Sequence, residues 1–155
     1  MKNKFIKLGI FWLSVLGAIH VAKVVKAEPT STLTVLVNGV RQHNSRVCLR
    51  VFSNEKGFPL RNEGEVQSGC TPITGNVVKK QFHGLKAGTY AVAVIDDKNG
   101  DGQLNTDWLG IPKEGFGISR NPTVSITTGT PKFQDASFVL DKNTIISITM
   151  KYSLD

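Results

Sequence analysis

The pattern that most restricts this chain is a two-residue hydrophobic period, returning in short runs from Leu33 to Tyr152. Leu33, Val35 and Val37 alternate with Thr34 and Leu36. Val47, Leu49 and Val51 alternate with Cys48, Arg50 and Phe52. Val77 to Phe82 is strand-like with paired lysines at its middle, and Thr89 to Ile95 is an apolar β-rich run. Ala136 to Leu140 is shorter, and Ile145 to Tyr152 alternates again. A period of two wets one face of a strand and buries the other. Asn38-Gly39, Gly75-Asn76, Lys86-Ala87-Gly88 and Asp141-Lys142-Asn143 punctuate the runs as turns. No segment after Ala27 carries a 3.6-residue period with caps; a turn at Glu63–Val66 is the best helical candidate. Closely spaced strands without helices predict an all-β fold, an antiparallel β-sandwich of about seven strands, immunoglobulin-like in general layout.

The first 27 residues stand outside that pattern. Lys2, Lys4 and Lys7 make a basic start, and Leu8 to Ala22 is apolar except for Ser14 and His20. Val25-Lys26-Ala27 then places small residues at the −3 and −1 positions of a cut before Glu28. This order predicts a cleavable secretory signal at 1–27, followed by one sandwich domain at 28–155. The apolar run falls short of the roughly 20 residues of a spanning helix, so no membrane span is expected after cleavage. The expected location is exported: periplasmic, attached to the outer envelope, or extracellular.

Removing the leader changes the charge. Five of the 19 Lys and Arg residues precede Glu28, leaving 14 against 12 Asp and Glu. That near-balance argues against a nucleic-acid partner, which requires a concentrated basic surface. The two cysteines, Cys48 and Cys70, both follow the leader. In an oxidising compartment a pair favours a disulfide, with two separate buried thiols as the other reading.

The most informative run is Asp96 to Asp107. From Asp97 it reads D-x-N-x-D-G-x-L-x-x-D. A hard cation takes six or more oxygens at short range. Asp97, Asn99 and Asp101 supply them at alternate positions, the Gln103 carbonyl is a further donor, and Asp107 or Glu114 can close the shell. Gly102 sits where a calcium loop turns, but position twelve is Trp108 rather than a bidentate Glu. Two readings therefore stand: a half-formed Ca2+ loop, and a metal-free turn in which Asp and Asn side chains bond the local backbone.

Enzyme signatures are missing. After Ala27 only His43 and His83 remain, and there is no G-x-S-x-G, H-E-x-x-H or P-loop. Carboxylates among Asp96, Asp97, Asp101 and Asp107 leave one catalytic alternative, a small hydrolase acting on glycans. Trp108, Phe116, Tyr90 and Phe133 read either as a stacking platform or as packing residues. Asn99 to Phe133 is long, weakly periodic and rich in Gly, Pro and Thr, a length that is usually functional.

Several motifs together resemble a bacterial family of unknown function, domain-of-unknown-function family 2141. They are Val47-Cys48-Leu49-Arg50-Val51-Phe52-Ser53 with Gly57-Phe58-Pro59, then Leu85 to Val94, then Asp97-Lys98-Asn99-Gly100-Asp101-Gly102-Gln103-Leu104. Leu109 to Ser119 and Pro131 to Phe138 complete the resemblance, which does not extend to Arg120–Gly129. It implies an exported bacterial protein with a transthyretin-like or carboxypeptidase-regulatory-like sandwich and no established activity. Where the family often has Asn, this chain has Asp101. The function expected is a non-catalytic binding or interaction module for an envelope protein or a glycan. Trp108, Lys113, Glu114 and Phe116 are the candidate recognition residues on its long loop.

Overall fold

The computed structural model describes residues 28–41 and 45–155. The expected leader at 1–27 and His43 lie outside the described residues. The alternating runs all form strands: β1 Thr30–Asn38, β2 Arg46–Phe52, β4 Val77–Lys86, β5 Gly88–Asp97, β7 Phe138–Leu140 and β8 Thr144–Thr149. Two further strands are β3 Glu65–Pro72 and the short β6 Phe116–Ile118. A single helical turn, α1 Phe133–Ala136, precedes β7.

These elements make a β-sandwich. One sheet has the order β4-β1-β8; the other is β3-β2-β5-β6, with β7 also on β5. The pairs are antiparallel except β1 with β8, which run parallel. The turn after β7 carries the chain from the larger sheet to the smaller and delivers β8 alongside β1 in the same direction. Leu33, Val35 and Val37 of β1 and Ile148 of β8 meet Val47, Leu49 and Val51 of β2 and Val92 and Val94 of β5 in one core. Each such side chain stabilises the fold by roughly 1.5–3 kcal/mol on full burial.

A second, smaller cluster forms on the outer face of the larger sheet. Phe52, Ala91, Ala93, Ile118 and Ala136 gather there, with Phe58 and Phe133 packed on them. The Phe58 ring meets Phe52 edge-on at 5.2 Å and Phe133 at 5.8 Å. β5 is therefore covered on both faces, and Tyr90 to Val94 are all buried. β7 and β6 share one edge of β5, at Gly88–Tyr90 and Ala93–Ile95. Ser119 joins them: its N–H donates to the Val92 carbonyl, and its hydroxyl accepts from the Val92 N–H at 2.9 Å and donates to the Ala136 carbonyl at 2.6 Å.

Two local expectations change. The helical turn expected at Glu63–Val66 gives way at Glu65 to β3, which pairs with β2. Among the described residues the helix-free expectation fails only at α1, where the Asp135 carboxylate accepts from the Lys132 N–H and closes one turn. Cys48 and Cys70 stand directly opposite each other on β2 and β3 and are bonded as a disulfide. β3 has no fully buried side chain and alternates between half-buried and exposed positions. Its hold on the sheet is the ladder with β2 and this bridge. The bridge closes a separation of 22 residues, for which loop-closure entropy gives about 3 kcal/mol. Replacing both cysteines by alanine should lower the unfolding free energy obtained from urea titration by about that amount, with β3 amides losing hydrogen-exchange protection first.

Candidate functional site

β5 ends in two adjacent carboxylates, and the strand period sends them to opposite faces. Asp96 points into the end of the inter-sheet core and is fully buried. It accepts from the Ser45 hydroxyl at 2.6 Å and the Tyr152 hydroxyl at 2.7 Å. The Tyr152 oxygen in turn accepts the Arg41 N–H at 2.8 Å, and the Arg41 guanidinium lies 4.1 Å from the tyrosine ring centroid. Burial, reinforced by the bond to Asp96, pushes the Tyr152 hydroxyl up to about 12.

Asp97 points outward and organises the acidic loop. Arg46, its direct cross-strand partner, donates from Nε at 2.9 Å and approaches with Nη2 at 2.8 Å. The Gly100 and Gly102 N–H groups donate to the same carboxylate at 2.8 and 3.1 Å. Both glycines have positive φ, +81° and +71°, which lets the chain curl back onto Asp97. Cys48 Sγ lies 3.5 Å away, but as a disulfide sulfur it has no proton to donate.

The rest of the loop is closed in the same way. Asp101 accepts from the Gln103 N–H at 2.8 Å and from the Asn99 and Asn105 side-chain amides at 2.8 and 3.0 Å. Those bonds, Asn105 foremost, hold its carboxyl below its ordinary pKa. Glu114 is buried and clasps both ends of the loop, accepting from the Lys98 N–H at 3.0 Å and the Asn105 N–H at 3.1 Å. Asp107 stands apart in its own turn, accepting from the Leu109 and Ile111 N–H groups at 2.9 Å. Of the expected ligands, Asp97, Asn99, Asp101 and Glu114 thus belong to one bonded loop, Gln103 joins it through its N–H, and Asp107 belongs to the next turn. Arg46 and Asn105 are the members that sequence reading did not select.

The loop is thus closed by hydrogen bonds of its own. Four donor contacts converge on Asp97, about the lone-pair capacity of a carboxylate. One of its partners is already a cation. Among the described residues, one set of three His, Cys, Asp or Glu ligand atoms lies within 4.8 Å, that of Cys48, Cys70 and Asp97, and its sulfurs are bonded to each other.

The loop also forms one wall of a cleft of about 240 Å3 on the outer face of the larger sheet. The floor is Ala93, Phe116 and Ile118; the walls come from Pro59 and Leu60, from Leu104 to Pro112, and from Val124 to Pro131. Leu60, Leu109 and Ile126 stand exposed on these walls, by 53%, 61% and 78%, and Trp108 beside them is 89% exposed. The expected recognition residues divide accordingly. Trp108 and Lys113 face outward, Glu114 holds the loop, and Phe116 is buried and lines the cleft. Tyr90 and Phe133 pack in the two clusters.

A family model described as an uncharacterized protein conserved in bacteria, domain of unknown function 2141, matches residues 35–147. The chain belongs to this family. The matched span runs from β1 through the disulfide, the acidic loop and the cleft into β8. No curated protein and no solved structure matches the chain. Among the described residues no helix is long and apolar enough to cross a membrane.

Two outcomes follow from this geometry. Thermal melts in millimolar Ca2+ and in chelator should coincide, for wild type and for Asp101→Ala; a calcium-dependent rise present only in wild type would establish the metal loop instead. Tyr152 is neutral in the fold up to about 12 but ionises near its ordinary value of 10.0 when unfolded. Its contribution is therefore complete below pH 10 and falls as pH rises from 10 towards 12. Urea midpoints across that window should fall more steeply for wild type than for Tyr152→Phe.

Proposed function

We propose that this family member is an exported, non-catalytic binding module whose cleft over the larger sheet takes up an apolar group of its partner. The observation that carries the proposal is the cleft itself: a concave site with a hydrophobic floor, walled by long loops, with large apolar side chains held in water at its rim. Among the described residues no carboxylate lines it, and the acidic side chains nearby are bonded to backbone amides and to Arg46. Acid–base chemistry needs two groups facing a substrate, so the build supports a module over a glycan hydrolase. The scarcity of polar side chains in the lining also favours an apolar partner group over a sugar, whose hydroxyls need hydrogen-bond partners. Export is supported by the leader pattern before Glu28 and by the Cys48–Cys70 bridge, a bond that persists in oxidising compartments.

The test is an NMR titration of the purified protein with benzyl alcohol, a small neutral apolar probe. Saturable shifts should map to amides around Ala93, Ile118 and Ile126. They should weaken at least several-fold in Ala93→Leu, which fills the floor, and in Ile126→Asp, which alters only an exposed rim position. Shifts scattered over the surface, or unchanged in both variants, would sink the proposal.

A further inference from the structure

Among the described residues lining the cleft, Arg50 is the only one that carries a charge. It occupies an outward position of β2, opposite Ala93 of β5. Its side chain is held in place: Nη1 donates to the Leu60 carbonyl at 3.3 Å and Nη2 to the Gly102 carbonyl at 2.7 Å. Leu60 and Gly102 belong to two different walls, so the guanidinium spans the cleft at one end. Nε faces Glu65 Oε2 at 3.6 Å, too long for a strong charge-assisted bond. A guanidinium has five N–H donors. These three contacts account for one on each nitrogen and leave one on each of the terminal pair, the two nitrogens a carboxylate bridges in bidentate fashion.

Size narrows the ligand further. A dry apolar cavity of about 150 Å3 accommodates benzene. The cleft, at about 240 Å3, has room for a body of about ten non-hydrogen atoms on that scale. An apolar floor beside a fixed, half-buried cation is complementary to a molecule with an apolar body and an anionic end, and such a pairing gains strength where water is partly excluded.

Building on the cleft as a binding site, we propose that its ligand is a small apolar carboxylate. Its ring or short acyl chain lies over Ala93 and Ile118, and its carboxylate meets the two remaining N–H groups of Arg50. The experiment compares octanoate with octan-1-ol, which share a chain and differ in charge, by calorimetry on the purified protein. Octanoate should bind at least tenfold more tightly. Arg50→Met should remove that preference while leaving octan-1-ol affinity within a factor of a few. Because Arg50 also ties two walls together, a wild-type measurement guards against a misfolded variant. The octanoate preference should fall as salt rises and vanish below the acid's own pKa, where the ligand is neutral. Equal binding of acid and alcohol, insensitive to salt and pH, would overturn the carboxylate assignment and leave the apolar cleft standing. Failure of both compounds to bind would overturn the carboxylate assignment and the apolar cleft together.

Discussion

The structure depends on a strand that is buried on both faces. A sandwich strand ordinarily turns one face to the opposite sheet and the other to water. β5 does not: Tyr90, Val92 and Val94 enter the inter-sheet core, while Ala91 and Ala93 lie beside Phe52 and Ile118 in an outer cluster with Ala136, against which Phe58 and Phe133 pack. The outer face must therefore be covered, and the cover is built from connections rather than from a third sheet. Loops can serve only if their backbone polar groups find partners. That requirement explains the density of Asp and Asn between Asp96 and Asp107. Asp97, Asn99, Asp101 and Asp107 each close a turn there by accepting from backbone N–H groups two to five residues on.

Asp96 and Asp97 show how one strand end anchors both sides of the sheet. The first closes the inter-sheet core through Ser45 and Tyr152; the second fixes the covering loop through Arg46 and two glycine amides. The Asp97 side chain is wholly buried while that of Arg46 is 42% exposed. The carboxylate therefore bears most of the desolvation, and four donor contacts offset it. Glu114 completes the cover from the other end of the loop, joining Lys98 to Asn105. The acidic side chains of the segment hold the chain in place through these bonds.

Much of this was visible in the residues, and the limits have physical causes. β1, β2 and β8 announce themselves by alternation, because one of their faces sees the core. The unbroken apolar run of β5 carries the mark of two-sided burial, as fully buried strands do. β3 was missed because Gln67, Ser68 and Gly69 give no hydrophobic signal; pairing with β2 and the bridge make it a strand. Strand direction leaves no trace in composition, so the parallel β1–β8 pair could not be read. In the loop, the local turns were legible because their bonds span only a few residues. Arg46, Glu114 and Tyr152 were not assigned their roles, since their partners lie 51, 16 and 56 residues away and are brought near by the fold alone. Arg50 shares the outward period of Arg46 and Cys48, yet it becomes a cleft residue only once Leu60 and Gly102 close around it.

The cleft is a consequence of how this cover is made. Alanines at the outer positions of β5 leave a shallow floor, and loops braced by their own hydrogen bonds cannot collapse to fill it as free side chains would. Leu109 and Ile126 consequently remain exposed, although each would gain by burial. The bonds of Asp107, Asp101 and Glu114 hold the walls in that state. A site held open in this way has little further ordering to undergo on binding, which is the condition under which a small apolar contact yields usable affinity. The same reasoning separates the residues of the long loop into two kinds. Glu114 and Asp97 act on the loop's own backbone, whereas Trp108, Leu109 and Ile126 keep large apolar surface exposed.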